Sequence, residues 1–247
     1  MQRNEMNADG ADEEESREGE GEFISDGDQD SIKQYGNPNR LYDTGILPIS
    51  IIGEVEGHIE LGPGRKATKY EHIIPLILEA EQNPEVRGVL LILNTMGGDV
   101  EAGLAIAELI AGMRKPTVSL VLGGGHSIGV PLAVSTDFSF IAPTASMTIH
   151  PIRMNGLVIG VAQSFEYIKK IQDRVVDFVV EHSAISEAYF LHFMLNADEL
   201  VNDIGSILIG KKAVEVGLID AVGSISSALS KLMELIAQAA EKESERI

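Results

Sequence analysis

An α/β fold with a mostly parallel sheet is the architecture this sequence predicts, and three observations predict it. Short apolar runs of strand length alternate with segments of helical periodicity. Two of those runs, Gly88-Val89-Leu90-Leu91-Ile92-Leu93-Asn94 and Thr117-Val118-Ser119-Leu120-Val121-Leu122, carry consecutive apolar residues at 89–93 and 120–122, as strands buried on both faces do. Each ends in glycines, Gly97-Gly98 and Gly123-Gly124-Gly125, and then enters a helical segment. Neighbouring parallel strands bring both glycine turns to one edge of the sheet, which is where chemistry is expected in such folds.

The elements follow in order. Residues 46–52 form the first expected strand, with 53–57 as its exit. The turn Gly62-Pro63-Gly64-Arg65-Lys66 precedes an amphipathic helix over 68–82, whose Ile73, Ile74, Ile77 and Leu78 share a face and which Asn83-Pro84 stops. After the strand at 88–94, a helix over 100–113 runs to Lys115-Pro116. The strand at 117–122 leads through the second glycine turn to a helix over 126–134, where Pro131 calls for a kink or a tight first turn. Short strands at 138–141 and 146–150 come next, then a hairpin over 153–159 around Asn155-Gly156. Residues 161–181 read as a long amphipathic helix carrying Phe165, Ile168, Ile171, Val175, Phe178 and Val179 at three- and four-residue steps. Its length suits either a core-packing helix or one that projects in part to a partner subunit. Helices at 187–195 and 224–243 close the chain.

Composition bounds the function. The chain has 247 residues, no cysteine and a formal net charge of −19. Lack of cysteine removes disulfides, thiolate catalysis and cysteine-ligated zinc, and fits a reducing compartment. No apolar run reaches membrane-spanning length and no basic-then-apolar leader opens the sequence, so a cytoplasmic address is expected. Residues 1–31 hold twelve Asp or Glu against two Arg, a net of −10 that leaves −9 for the rest. Residues 1–39 are therefore expected to form an acidic disordered tail, since so few large apolar side chains cannot offset the entropy of ordering. The single folded domain is expected over 40–247. With an acidic body and no basic stripe, nucleic acid is not an expected partner.

The candidate chemistry is serine hydrolysis. A serine hydroxyl is a weak nucleophile at neutral pH and needs a base to take its proton and donors to hold the oxyanion. Ser127 lies in the second glycine turn, at a helix start whose N–H groups point outward. The strand Ser146-Met147-Thr148-Ile149 delivers His150, the candidate base. His126 is set aside because consecutive helical residues face different directions. The amides of Gly98 and Ile128 are the expected oxyanion donors, with Gly97 beside them on the substrate-facing turn. His58, His72, His182 and His192 show no metal-ligand spacing, and neither a metal nor another cofactor is expected. No lysine follows the glycines directly, so a phosphate-binding loop is not supported.

Several ordered motifs together resemble the proteolytic subunit family of the Clp protease. Asn94-Thr95-Met96-Gly97-Gly98 with Ala102-Gly103-Leu104-Ala105-Ile106 is similar to that family's Asn-Ser-Pro-Gly-Gly…Ala-Gly-Met-Ala-Ile segment. Gly125-His126-Ser127-Ile128-Gly129 resembles its Ala-Ala-Ser-Met-Gly nucleophile turn, and residues 143–151 resemble its histidine segment. Gly53-Glu54-Val55-Glu56 and residues 78–84 also have counterparts, so the likeness spans roughly 46–222. The acidic N-terminus and the altered motifs make the chain most similar to the Clp-like translocation-enhancing branch found in spore-forming Gram-positive bacteria.

That resemblance implies a spiral of strand–turn–helix units of the kind shared with the crotonases. It also implies homo-oligomeric rings that enclose the active sites, polypeptide substrates, inter-ring contacts through the helix at 161–181, and a link to processing or export of secretory precursors. Family members often take substrate from an ATPase ring through an N-terminal loop and apolar clefts. An acidic tail stands at that end here, so an ATPase partner is left open. The segment Ala213-Val214-Glu215-Val216-Gly217-Leu218-Ile219-Asp220 matches the family's Ala-Val-Glu-Tyr-Gly-Leu-Val-Asp, and counting back without a gap puts Gly205 where the third triad residue belongs. Asp203 is the candidate for that role if the local turn differs by two positions. Two rivals stay open: a catalytically impaired scaffold that binds polypeptides, and an acyl-CoA enzyme of the crotonase-like fold that uses two backbone amides without a serine nucleophile.

Overall fold

In the computed structural model, residues 44–153, 160–198 and 204–244 are described. The expected tail over 1–39, most of the expected hairpin over 153–159 and the candidate Asp203 lie outside them. The described elements are β1 (Ile46–Glu56), β2 (Ala67–Lys69), α1 (Tyr70–Gln82), β3 (Gly88–Gly98), α2 (Val100–Ala111), β4 (Thr117–Gly125), α3 (Gly129–Val134), β5 (Phe138–Ile141), β6 (Ser146–Ile149), α4 (Val161–Glu181), α5 (Glu187–Met194), β7 (Ser206–Ile209), α6 (Lys211–Glu215), β8 (Ala221–Val222) and α7 (Ile225–Ser244).

The main path of the sheet is β2-β1-β3-β4-β5-β8, and every pairing along it is parallel. Strand β6 pairs in parallel with β4 at Gly124↔Ser146 and antiparallel with β7. Consecutive strand residues divide between two cores. Leu47, Ile49 and Ile51 of β1, Val89, Leu91 and Leu93 of β3, and Val121 of β4 join one cluster with residues of α1 to α5. Ile46, Leu90, Val118 and Leu120 face the other way and pack with Ala228, Leu232 and Ile236 of α7. This two-sided cover is the reason β3 reads as an unbroken apolar run over 89–93 and β4 over 120–122, instead of alternating.

The expected glycine turns prove to be irregular extensions of the strands. β3 stays paired with β1 through Gly97↔Glu54 and Gly98↔Val55, across a register shift at Gly53/Glu54. The helix expected from residue 126 begins at Gly129, so Pro131 falls in its first turn. Backbone donors there have no intrahelical partner in any case, and the proline removes nothing. Helix α2 is capped by Asp99, whose carboxylate accepts the Ala102 N–H at 2.8 Å.

At the opposite edge, where β3 and β4 begin, lies an open cleft of about 900 Å³ lined in part by Val86, Arg87, Lys115, Pro116, Ile236 and Lys242.

Candidate active site

Strand register brings the two glycine segments together. Thr95 of β3 stands opposite Gly125 of β4, and the His126 N–H donates to the Thr95 carbonyl at 3.2 Å. The Asn94 side-chain oxygen accepts the Gly124 N–H at 3.0 Å and ties the same two segments one residue earlier on each. Thr95 shapes the β3 end, donating its hydroxyl to the Gly53 carbonyl at 2.6 Å and accepting the Gly97 N–H at 3.0 Å.

Ser127 sits where these segments meet. Its φ of 56° puts it in the left-handed region, and among the described residues it is the one non-glycine there. A serine in that region is strained, and strain of this kind collects at functional sites. Gly97 has φ 94°, and a Cβ on it would stand 2.6 Å from Ser127 Cβ and 3.2 Å from Ser127 Oγ. The side-chain space of residue 97 is thus occupied by the serine, which fixes glycine there twice over, by backbone conformation and by contact.

Strand β6 supplies the third wall. The Ser127 N–H donates to the Thr148 carbonyl at 2.8 Å, and the Thr148 hydroxyl lies 2.8 Å from His126 Nδ1. Thr148 therefore clasps the turn through both its main chain and its side chain, two residues before His150. Sequence reading passed over Thr148, although the strand period of two sets it on the same face as His150. His126, set aside above, is part of this wall. Burial, and then the charge of His150 beside it, push its imidazole below the usual histidine range.

His150 is half-buried at the end of β6, with Nδ1 2.7 Å from the Pro151 carbonyl oxygen. Gly205, the position reached by gapless counting, lies against it. A Cβ on Gly205 would be 2.9 Å from His150 Cβ and 2.3 Å from the Ile149 carbonyl oxygen, and its φ is +139°. Ser127, Gly97 and the strand that ends in His150 are thus gathered at one sheet edge. Gly98 follows Gly97 at the end of β3, and Ile128 follows Ser127 as the residue before α3.

A model of the Clp protease family matches residues 49–226. The chain belongs to the Clp protease family. It is 57% identical over 209 residues to the translocation-enhancing protein TepA of Halalkalibacterium halodurans, a match covering 84% of this chain and 82% of that one. It is 27% identical over 163 residues to the ATP-dependent Clp protease proteolytic subunit of Leuconostoc citreum, covering 62% of this chain and 76% of the relative. The corresponding subunit 1 of Chlamydia muridarum is 26% identical over 140 residues, covering 54% and 69%. The mixed α/β fold with its mostly parallel sheet is the fold this membership implies. Among the described residues no helix is long and apolar enough to cross a membrane.

Proposed function

We propose that the chain is a serine endopeptidase of the Clp type, acting on unfolded or short polypeptides. Ser127 Oγ attacks the scissile carbonyl carbon and its proton passes to His150 Nε2. The oxyanion that forms is held by the Gly98 and Ile128 amides, with Gly97 leaving room for the Ser127 side chain. Collapse breaks the C–N bond while His150 returns the proton to the departing amine, and water then releases the acyl group by the same steps in reverse roles. The observation that supports this reading most is the strained Ser127, packed on Gly97 and hydrogen-bonded to the strand that ends in His150.

The family's proteolytic subunits support assembly into a homo-oligomer that shelters these sites, and the likeness to a translocation-enhancing protein supports a role in processing or export of secretory precursors from the cytoplasmic side. Asp203, the candidate that the sequence offers for the third role, lies outside the described residues, and the steps above assign it no part.

A second reading, a polypeptide-binding scaffold that lacks turnover, is favoured by the glycine at position 205. Membership of the Clp protease family weighs against the acyl-CoA enzyme.

A fluorophosphonate probe on the purified full-length protein separates the readings. The peptidase is expected to label at one site, and Ser127→Ala and His150→Ala are each expected to lose labelling without a change in particle mass. Intact particles that never label would leave the scaffold.

A further inference from the structure

We propose that the His150 imidazole is oriented for catalysis by a main-chain group, the Pro151 carbonyl, and not by a carboxylate. This inference deepens the peptidase reading and rests on it for its catalytic meaning.

His150 Nδ1 stands 2.7 Å from the Pro151 carbonyl oxygen. A carbonyl oxygen can only accept, so Nδ1 carries the proton in this contact. In neutral imidazole the proton on Nδ1 leaves Nε2 with its lone pair, which is the tautomer that a base acting on a serine hydroxyl requires. Nδ1 has one proton, and this contact commits it.

The fold around Gly205 argues the same way from a separate observation. β7 begins at Ser206, which pairs with Ile149, so residue 205 meets the chain at His150 itself. The Gly205 N–H donates to the Asn196 carbonyl at 2.7 Å, which fixes its position further. A Cβ there would fall 2.3 Å from the Ile149 oxygen and 3.1 Å from His150 Cα, so any side chain at 205, aspartate included, must push β7 off β6. The close pairing that glycine permits holds the base from behind, while the next carbonyl along the chain holds its ring.

The chemical consequence is orientation without charge. When Ser127 gives its proton to Nε2, the imidazolium faces a carbonyl dipole where a serine-protease triad has an anion. The proton stays on Nδ1 throughout, and only Nε2 gains and loses one.

Ring-nitrogen NMR on the full-length protein with 15N-labelled histidine, assigned with His150→Gln, tests the tautomer independently of turnover. The Nδ1–H form is expected near neutral pH in the wild type and equally in Asp203→Asn and Asp198→Asn. Probe labelling in both variants is expected to stay within about threefold of wild type, whereas a carboxylate orienter would lose up to about 10⁴.

Replacing Ile152 by its α-hydroxy acid converts the Pro151 carbonyl to a weaker ester acceptor, and about a tenfold loss in labelling rate is expected. That change also removes the Ile152 N–H, whose partner is Gln172 Oε1 at 3.4 Å. Gln172→Met removes the same bond from the other side and is expected to label normally. An Asp203→Asn variant that loses the Nδ1–H signal or most of its labelling overturns the proposal, as does an ester without effect. A wild type that never labels defeats the peptidase reading, and the nitrogen spectrum still decides what holds the ring.

Discussion

At the scale of single residues, the site rests on a serine in a backbone conformation that glycine adopts more easily. Ser127→Gly is therefore expected to be more stable than Ser127→Ala by about 0.5–1 kcal/mol, although neither carries a nucleophile. Denaturant titration of the two proteins measures the difference, and an alanine variant at least as stable as the glycine one would show that φ 56° costs nothing. His126 gives a prediction in pH. The folded chain keeps its imidazole neutral where an unfolded histidine already takes a proton, so below about pH 6.5 the unfolded state binds more protons and stability falls as pH drops. In His126→Gln, which can still bond the Thr148 hydroxyl, the fall in unfolding midpoint between about pH 7 and about pH 5 should be shallower. The proposed pair Ser127 and His150 could be singled out in the sequence because a nucleophile and a base need particular residue types beside glycine. The Pro151 carbonyl was not, since every residue carries a carbonyl and only the fold decides which one a ring meets.

At the scale of elements, periodicity gave the long members with little error. The helix read over 161–181 is α4 residue for residue, and the closing helix moves by one residue at each end. Strands β2 and β8 went unread because two or three residues are too few for a period of two to stand out, whereas β7 was passed over although it is as long as the expected β5 and β6. The glycine segments were misjudged as turns because a bulged strand and a turn draw on the same residue. Helix α7 depends on the cluster it shares with β1, β3, β4 and β5. Leu232 is fully buried there, and Leu232→Ala should cost about 2–5 kcal/mol. Because α7 covers the face of the sheet away from α1 to α5, that variant should lower the thermal midpoint while probe labelling of the folded protein persists. Loss of labelling at temperatures where the protein is still folded would tie α7 to the chemistry.

At the scale of the whole molecule, the early part of α4 carries exposed Phe165 and Tyr167 while its later residues Val175, Val176, Phe178 and Val179 are buried. If this helix joins copies in an oligomer, Phe165→Glu combined with Tyr167→Glu should reduce the particle mass measured by light scattering, with the secondary structure unchanged. An unaltered mass would place the contact elsewhere. The parallel sheet also gives the molecule two unlike ends. The cleft at the start of β3 and β4 is separated from Ser127 by the nine residues of β4, roughly 30 Å at about 3.3 Å per residue. The sequence has no cysteine, so a Gln238→Cys substitution in that cleft would introduce a unique thiol. A dye or surface tether attached there would report on assembly from the far side of the protomer and leave the nucleophile untouched.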